Sequence, residues 1–191
     1  MNMIIDSLDN ILKEKIGNIE FNTDFRISML FELLMQDKEL TKEEKIIQSL
    51  QLYYPNFNEI KDFKTAINNI LWFYSGGKEL ANSNERKNTR NNKQIYNYEF
   101  DAEYIYSAFM QEYKIDLQDI ESLHWWKFKA LFNGLTEETQ FVKIMGYRTI
   151  DISKIKNKKE KKRYKELQRL YALPDMRTEE EKEYDFAEAF S

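Results

Sequence analysis

The sequence predicts a mainly α-helical fold: a multi-helix, bundle-like domain with a small N-terminal β-hairpin and a flexible central loop. Three observations carry this expectation. Only five glycines and two prolines occur in 191 residues, so few positions break a helix. Apolar residues recur at spacings of three and four through most windows, which is the period of a buried helical face. Capping signatures, above all Thr41-Lys-Glu-Glu44 and Thr178-Glu-Glu-Glu181, stand where such stripes begin.

The start of the chain is the exception. Ile11 to Ile16, then Gly17-Asn18, then Ile19 to Asn22 read as two short strands around a two-residue turn, because glycine and asparagine tolerate the positive φ of a primed hairpin turn. Asn22-Thr23-Asp24 then offers capping oxygens to a helix with Ile27, Leu30, Phe31 and Leu34 inward, ending near Asp37. The box at Thr41 opens a helix towards Tyr53, which Pro55 bars from continuing. A third stripe, Ile60, Phe63, Ile67, Ile70, Leu71 and Tyr74, is expected to face the core, with Gly76-Gly77 ending its helix.

Residues 78–94 hold five asparagines, a single leucine and five basic against two acidic side chains. Such a stretch buries too little apolar surface to offset the entropy of ordering it, and is expected to be a flexible linker or exposed loop. The chain therefore divides into a hairpin plus helical unit over 1–77, the loop over 78–94 and a second helical unit over 95–191, the alternative being that the two units join as one composite domain.

In the second unit, Asp101 opens a helix that runs through Tyr113, and another is expected from about 119 to 132, ended by Gly134. On that helix Ile120, Leu123, Lys127, Ala130 and Leu131 form one stripe, while Trp125, Phe128 and Phe132 lie round from it. It is either buried nearly all round or turns its aromatics towards another chain, where such rings are enriched as hot spots. Thr136 is expected to cap a short helix with Phe141, Ile144 and Met145 inward, broken by Gly146, after which 148–153 is extended. A long basic helix follows with Tyr164, Leu167, Leu170 and Tyr171 inward, until Leu173-Pro174-Asp175; a last helix starts at Thr178.

Composition excludes several kinds of chemistry. There is no cysteine, hence no disulfide, thiolate zinc site or cysteine nucleophile. The only histidine, His124, leaves no two-histidine metal site. It sits beside Trp125-Trp126 with no Gly-x-Ser-x-Gly motif, so a structural ring with one nitrogen hydrogen-bonded is expected. The acidic groups Glu99, Asp101, Glu103 and Asp116, Asp119, Glu121 lack the spacing of a calcium loop and suit helix starts. Gly76-Gly77-Lys78 ends a helix where a phosphate loop would begin one. The expectation is no enzyme, no cofactor and no metal.

Charge is segregated. Residues 154–171 carry nine Lys/Arg against two Glu, and 175–191 carry seven Asp/Glu against two Lys/Arg. A solvated face followed by an acidic tail is the plain reading; an internal or intermolecular docking pair and a weak nucleic-acid patch are the sharper ones. No basic n-region precedes an apolar run at the N-terminus, and no stretch approaches the roughly 18 apolar residues of a membrane helix. A soluble cytosolic protein with no membrane partner is expected.

Six segments in order resemble the bacteriophage gene-product-fifteen family of siphophages and prophages across nearly the whole chain. They are FNTDFR (21–26), ILWFYSGGK (70–78), YNYEFDAEYIYSAF (96–109), DLQDIESLHWWKFKALFNGL (116–135), MGYRT (145–149) and RLYALPD (169–175). The resemblance implies a tail-region protein and, from the usual position of such genes beside the tape-measure gene, a tail assembly chaperone. It implies the phage tape-measure protein as partner, with an adjacent tail chaperone or frameshift product and homo-oligomerisation as further possibilities. The place of action would be the host bacterial cytoplasm, with the protein absent from the mature virion. It supplies no catalytic residues. A chaperone for a long amphipathic polypeptide needs an exposed aromatic or apolar groove, and Tyr104, Tyr106, Trp125 and Phe128 are the expected partner-binding residues. The alternatives are a structural tail or neck component of the virion and, less favoured, a nucleic-acid-binding regulator using the basic helix 154–171.

Overall fold

The computed structural model describes residues 2–78 and 94–174. The expected loop, apart from its two ends, the acidic tail and the helix expected from Thr178 all lie outside the described residues. Among the described residues eight α-helices run in the order α1 (Leu8–Ile16), α2 (Phe25–Gln36), α3 (Lys42–Tyr53), α4 (Phe63–Tyr74), α5 (Ala102–Tyr113), α6 (Trp125–Asn133), α7 (Gln140–Thr149) and α8 (Lys158–Leu170), with 3-10 turns at Phe57–Glu59 and Ile152–Lys154. No strand occurs among the described residues.

The expected N-terminal hairpin is replaced by α1. Ser7 caps it by accepting from the amide of Asn10, and Gly17, at φ 88°, ends it. The glycine read as a hairpin turn is thus a helix terminator, since positive φ serves either use. Leu12 and Ile16, four residues apart, are the buried pair of α1. A strand that buried both would also turn Glu14 inward, whereas a helix leaves Glu14 in solvent, as found. Residues 19–22 are not a strand; Phe21 packs its ring against Tyr53, Tyr54 and Phe73.

Local signals place most other boundaries. Asp24 caps α2, and Thr41 and Glu44 form the reciprocal capping box of α3. Gly76 and Gly77 follow α4 at φ 86° and 75°. The buried face of α2 is rotated from the expected one: Phe25, Ser28, Phe31 and Leu34 are inside, whereas Leu30 is exposed. Ser28 is accommodated because its hydroxyl and that of Tyr53 hydrogen-bond at 2.8 Å.

Two helices start later than expected, and one runs further. α6 begins at Trp125, with His124 as its N-cap, not near 119. α7 is capped by Thr139 and passes through Gly146 to Thr149, so 148–149 are helical and 152–154 form a 3-10 turn where an extended stretch was expected. A glycine inside a helix costs only about 1 kcal/mol against alanine, and Arg148 beyond it is anchored by buried bonds. In α8, Tyr164 and Leu167 are half-buried but Leu170 is exposed.

One apolar core contains residues of α1 to α4 together with Tyr98, Ile105, Phe109, Trp125, Phe128 and Phe141. Phe128 lies at its centre, stacked on Phe25 at 4.9 Å, Phe109 at 4.9 Å and Trp125 at 5.7 Å.

Candidate partner-binding site

Two polar junctions, the first half-buried and the second buried, hold the helices, and the described residues also form an open apolar groove. The first junction joins the starts of α2 and α6, which meet as an isolated antiparallel bridge between Asp24 and His124. The Phe25 amide donates to the Leu123 carbonyl at 2.9 Å, and the Trp125 amide to that of Thr23 at 2.8 Å. The Asp24 carboxylate accepts from the amides of Arg26 and Leu123. Arg26 in turn donates to the carbonyls of Leu117 and Ile120, both at 2.8 Å. FNTDFR and the LHWW run are therefore bonded to each other, although about a hundred residues separate them.

His124 completes this junction. Its Nδ1 accepts from the Trp126 amide at 3.1 Å, and its ring meets Phe73 and Trp126 edge-on. The buried Nε2 has no hydrogen-bond partner among the described residues. Burial, with Lys127 nearby, holds its pKa down at about 4, so the ring is neutral at neutral pH and serves as a cap acceptor.

The end of α4 is received by α6. The Trp126 indole donates to the Phe73 carbonyl at 2.7 Å, and the Trp125 indole and Lys129 ammonium donate to the Tyr74 carbonyl at 2.9 and 3.1 Å. The hydroxyl of Tyr74 is bonded to Glu32 of α2. Burial raises the Glu32 pKa, opposed by the Tyr74 hydrogen bond and Lys129, and burial lowers that of Lys129. Sequence reasoning missed Glu32 and Lys129, since each reads as an ordinary solvated helix charge.

The second junction is built on Arg148. Its guanidinium makes a two-pronged bond to Asp101 at 2.7 and 2.8 Å and donates to the carbonyls of Tyr171 at 2.6 Å and Ile95 at 2.9 Å. Asp101 also accepts from the Asn97 amide at 2.9 Å. Asn97 reaches Gln36 of α2 at 2.8 Å. Segments 96–109, 145–149 and 169–175 thus converge on one buried ion pair. Asp101 is committed to this pair, and Asp116 to the Gln118 and Asp119 amides and the Tyr106 hydroxyl.

The expected partner-binding aromatics divide by burial. Trp125 and Phe128, 1% and 0% exposed, are interior and offer a partner no surface. Tyr104 and Tyr106 are half-buried; Tyr104 lies edge-on to Tyr171, and Tyr106 donates to Asp116 at 2.9 Å. The stripe Trp125, Phe128 and Phe132 is the covered face of α6, whereas Lys127 and Ala130 face outward.

On α4 the reverse holds. Of the stripe expected to face the core, Ile60 and Ile70 are buried, but Phe63 is 54% exposed and Ile67, Leu71 and Tyr74 are half-buried. Ala66, Trp72 and Phe73 instead supply the rest of its buried apolar face. The helix has two apolar faces, and α6 and the α1 contact take the second. The leftover face forms the wall of a groove of about 300 Å³, lined by Phe31 and Met35 of α2, Lys42, Lys45, Ile46 and Ser49 of α3, and Ile67, Ile70 and Leu71 of α4. Lys45 donates to the Met35 carbonyl at 3.0 Å, fixing one edge. A wider cleft of about 990 Å³ on the other side of α2 and α3 has Asp37, Glu39 and Glu99 on its rim.

Among the described residues no helix is long and apolar enough to cross a membrane. No curated protein and no solved structure matches the chain. A family model described as Bacteriophage Gp15 protein matches residues 5–173, which take in every element from α1 to α8 and both polar junctions. The chain belongs to the bacteriophage Gp15 protein family.

Proposed function

We propose that this phage protein is a tail assembly chaperone that holds an amphipathic helix of the tape-measure protein in the groove between α2, α3 and α4, within the host cytoplasm and outside the finished virion. The observation that carries this reading is the leftover apolar face of α4: Phe63, Ile67 and Leu71 are spaced as one helical stripe and left partly uncovered, with Ile67 and Leu71 beside Met35 and Ile46 in the groove lining. A client helix laid along this stripe would match it with its own residues at three- and four-residue spacing. The interior placement of Trp125 and Phe128 moves the docking surface from the second helical stretch to the first.

Co-expression with the tape-measure protein tests this. The wild-type chain, alone or with the adjacent chaperone or frameshift product, is expected to raise the soluble fraction of the tape measure. Phe63→Glu and Ile67→Glu are expected to weaken binding by about thirtyfold each, the effect of losing a hot spot of about 2 kcal/mol, with circular dichroism unchanged. Charge reversals on α8 are expected to act weakly and to fade with salt, because exposed charges are screened beyond about 8 Å at physiological strength. A wild-type chain that neither binds nor solubilises the tape measure ends this reading, and stoichiometric presence in purified virions would favour a structural tail component.

A further inference from the structure

We propose that the turn formed by residues 2–6 of one copy seats Ile4 and Ile5 in the α2–α3–α4 groove of a second copy, so that the chains join head to tail. The second copy and a client helix are then rivals for one groove, and the association itself needs no client. Three observations point to this occupant.

The first is the turn. Ile4 and Ile5 are 95% and 79% exposed, more than any other large apolar side chain among the described residues. Their backbone is nonetheless ready for burial. The Ile4 amide donates to the Asn2 side-chain carbonyl at 3.0 Å, and the Ile5 and Asp6 amides donate to the Asn2 main-chain carbonyl at 3.2 and 2.8 Å. The Asn2 amide donates to the Asp6 carboxylate. Entry into an apolar site leaves none of these donors unpaired, and each isoleucine withdrawn from water contributes through its buried area.

The second is charge. Asp6, next to Ile5, and Asp9, in the first turn of α1, are exposed. The ionic groups on the groove are Lys42 and Lys45, with no carboxylate in its lining. The wider cleft also offers leucines, but its Asp37, Glu39 and Glu99 oppose an acidic tip. Complementary sign selects the groove.

The third is position. α1 begins two residues after the turn and packs on the side of α4 that carries Trp72, over whose ring the Lys15 ammonium lies. Ile67, in the groove, is about 140° round α4 from Trp72. Tip and groove therefore stand on opposite sides of α4, and that helix separates them within one chain. A tip that meets a different patch on its neighbour makes a heterologous contact, which builds chains or closed rings in place of a two-fold pair.

Sedimentation velocity of the full chain over a range of concentrations tests this. The wild type is expected to grow beyond a dimer. Ile4→Ser combined with Ile5→Ser, and separately Ile46→Glu in the groove lining, where the side chain is 45% exposed, are expected to weaken association by about thirtyfold or more, as loss of an interface anchor does, with urea melts unchanged. Lys42→Glu, which sets a carboxylate against the acidic tip, is expected to weaken it too; an acid suits the first turn of α3, so folding is not disturbed. Mixing the Ile4→Ser/Ile5→Ser chain with the Ile46→Glu chain leaves one intact groove and one intact tip, and a 1:1 complex that grows no further is expected. A wild type that stays monomeric overturns the proposal, as does association that survives Ile4→Ser/Ile5→Ser, or a mixture that yields no 1:1 complex. Adding the tape-measure protein separates the two uses of the groove. Tape-measure binding by a wild-type chain that is monomeric by itself removes this proposal alone. Head-to-tail growth, with no tape-measure binding by the wild type or the Ile4→Ser/Ile5→Ser chain, removes the client reading alone.

Discussion

At the scale of single residues, His124 and Arg148 hold the two junctions in different ways: His124 through Nδ1 alone, its buried Nε2 having no hydrogen-bond partner among the described residues, and Arg148 through four hydrogen bonds. Protonating His124 destroys the Nδ1 acceptor that caps Trp126 and puts a positive charge at a helix N-terminus, where the macrodipole opposes it. Its folded pKa, about 4, lies below the ordinary 6.5. The unfolded chain therefore binds the proton first, and the contribution of His124 is complete above about pH 6.5 and is lost as pH falls towards 4. His124→Asn keeps a capping oxygen and removes the titration. Urea melts at pH 7 and pH 5 are expected to show a smaller acid loss in the variant, by about 1 kcal/mol once partial exposure of the ring is allowed for. Glu32, whose pKa burial raises, contributes in the opposite sense, so the difference between the two proteins is the quantity to compare. For the second junction, Arg148→Met leaves Asp101 charged and unpaired, and is expected to cost about 3 to 5 kcal/mol. Adding Asp101→Leu should recover part of that loss. A double variant no more stable than the single one would refute this account of the ion pair.

At the scale of elements, α4 is the informative helix because it is apolar on two sides. Its stripe of Phe63, Ile67 and Leu71 and its stripe of Ala66, Ile70, Trp72 and Phe73 differ in what covers them. Ile70→Ala is expected to cost about 3 kcal/mol, as other buried large-to-small changes do, while Phe63→Glu should stay within about 0.5 kcal/mol of the wild type. Equal losses would mean that the groove is closed in solution. The end of α4 depends on α6, whose Trp126 indole bonds the Phe73 carbonyl. Trp126→Phe removes that donor and leaves a gap against Trp72, which its ring meets edge-on, and about 2 kcal/mol of lost stability is expected. The shift of the urea midpoint at constant slope is the measurement.

At the scale of the whole molecule, the stretches before and after residues 79–93 share one core. Phe25 stacks on Phe128 and Tyr74 on Trp125, and the bridge between Asp24 and His124 ties the two backbones. The chain is accordingly expected to unfold in a single cooperative step. All of Trp72, Trp125 and Trp126 are buried in this core, so indole fluorescence and far-ultraviolet circular dichroism should give coincident urea transitions. Residues 1–77 expressed alone should show no cooperative transition, because Phe25, Trp72 and Tyr74 would lose their covering. Two separate transitions in the intact chain would contradict the shared core.

The sequence by itself determined the helical class and most helix ends, because those signals act within a turn or two of backbone: the Thr41 capping box, the stop at Pro55, the positive φ of Gly76 and Gly77, the start at Asp101. It also carried the family, through ordered segments whose spacing no fold argument needs. Where a local pattern fitted two structures, the sequence could not choose. Residues 11–22 fitted a hairpin, and Leu12 and Ile16 decided for a helix by packing into the core. The start of α6 moved to Trp125 because Leu123 and Trp125 are bonded to the N-terminus of α2, about a hundred residues away. The candidate site was the least legible part. An aromatic ring reads alike whether buried or exposed, so Trp125 and Phe128 looked like contact residues and proved to be interior. Phe63 and Ile67 looked like core and proved to line or flank an open groove. Which of two apolar faces is covered depends on helices remote in sequence, and only the tertiary structure, by bringing α6 onto one face of α4, decided which was left uncovered.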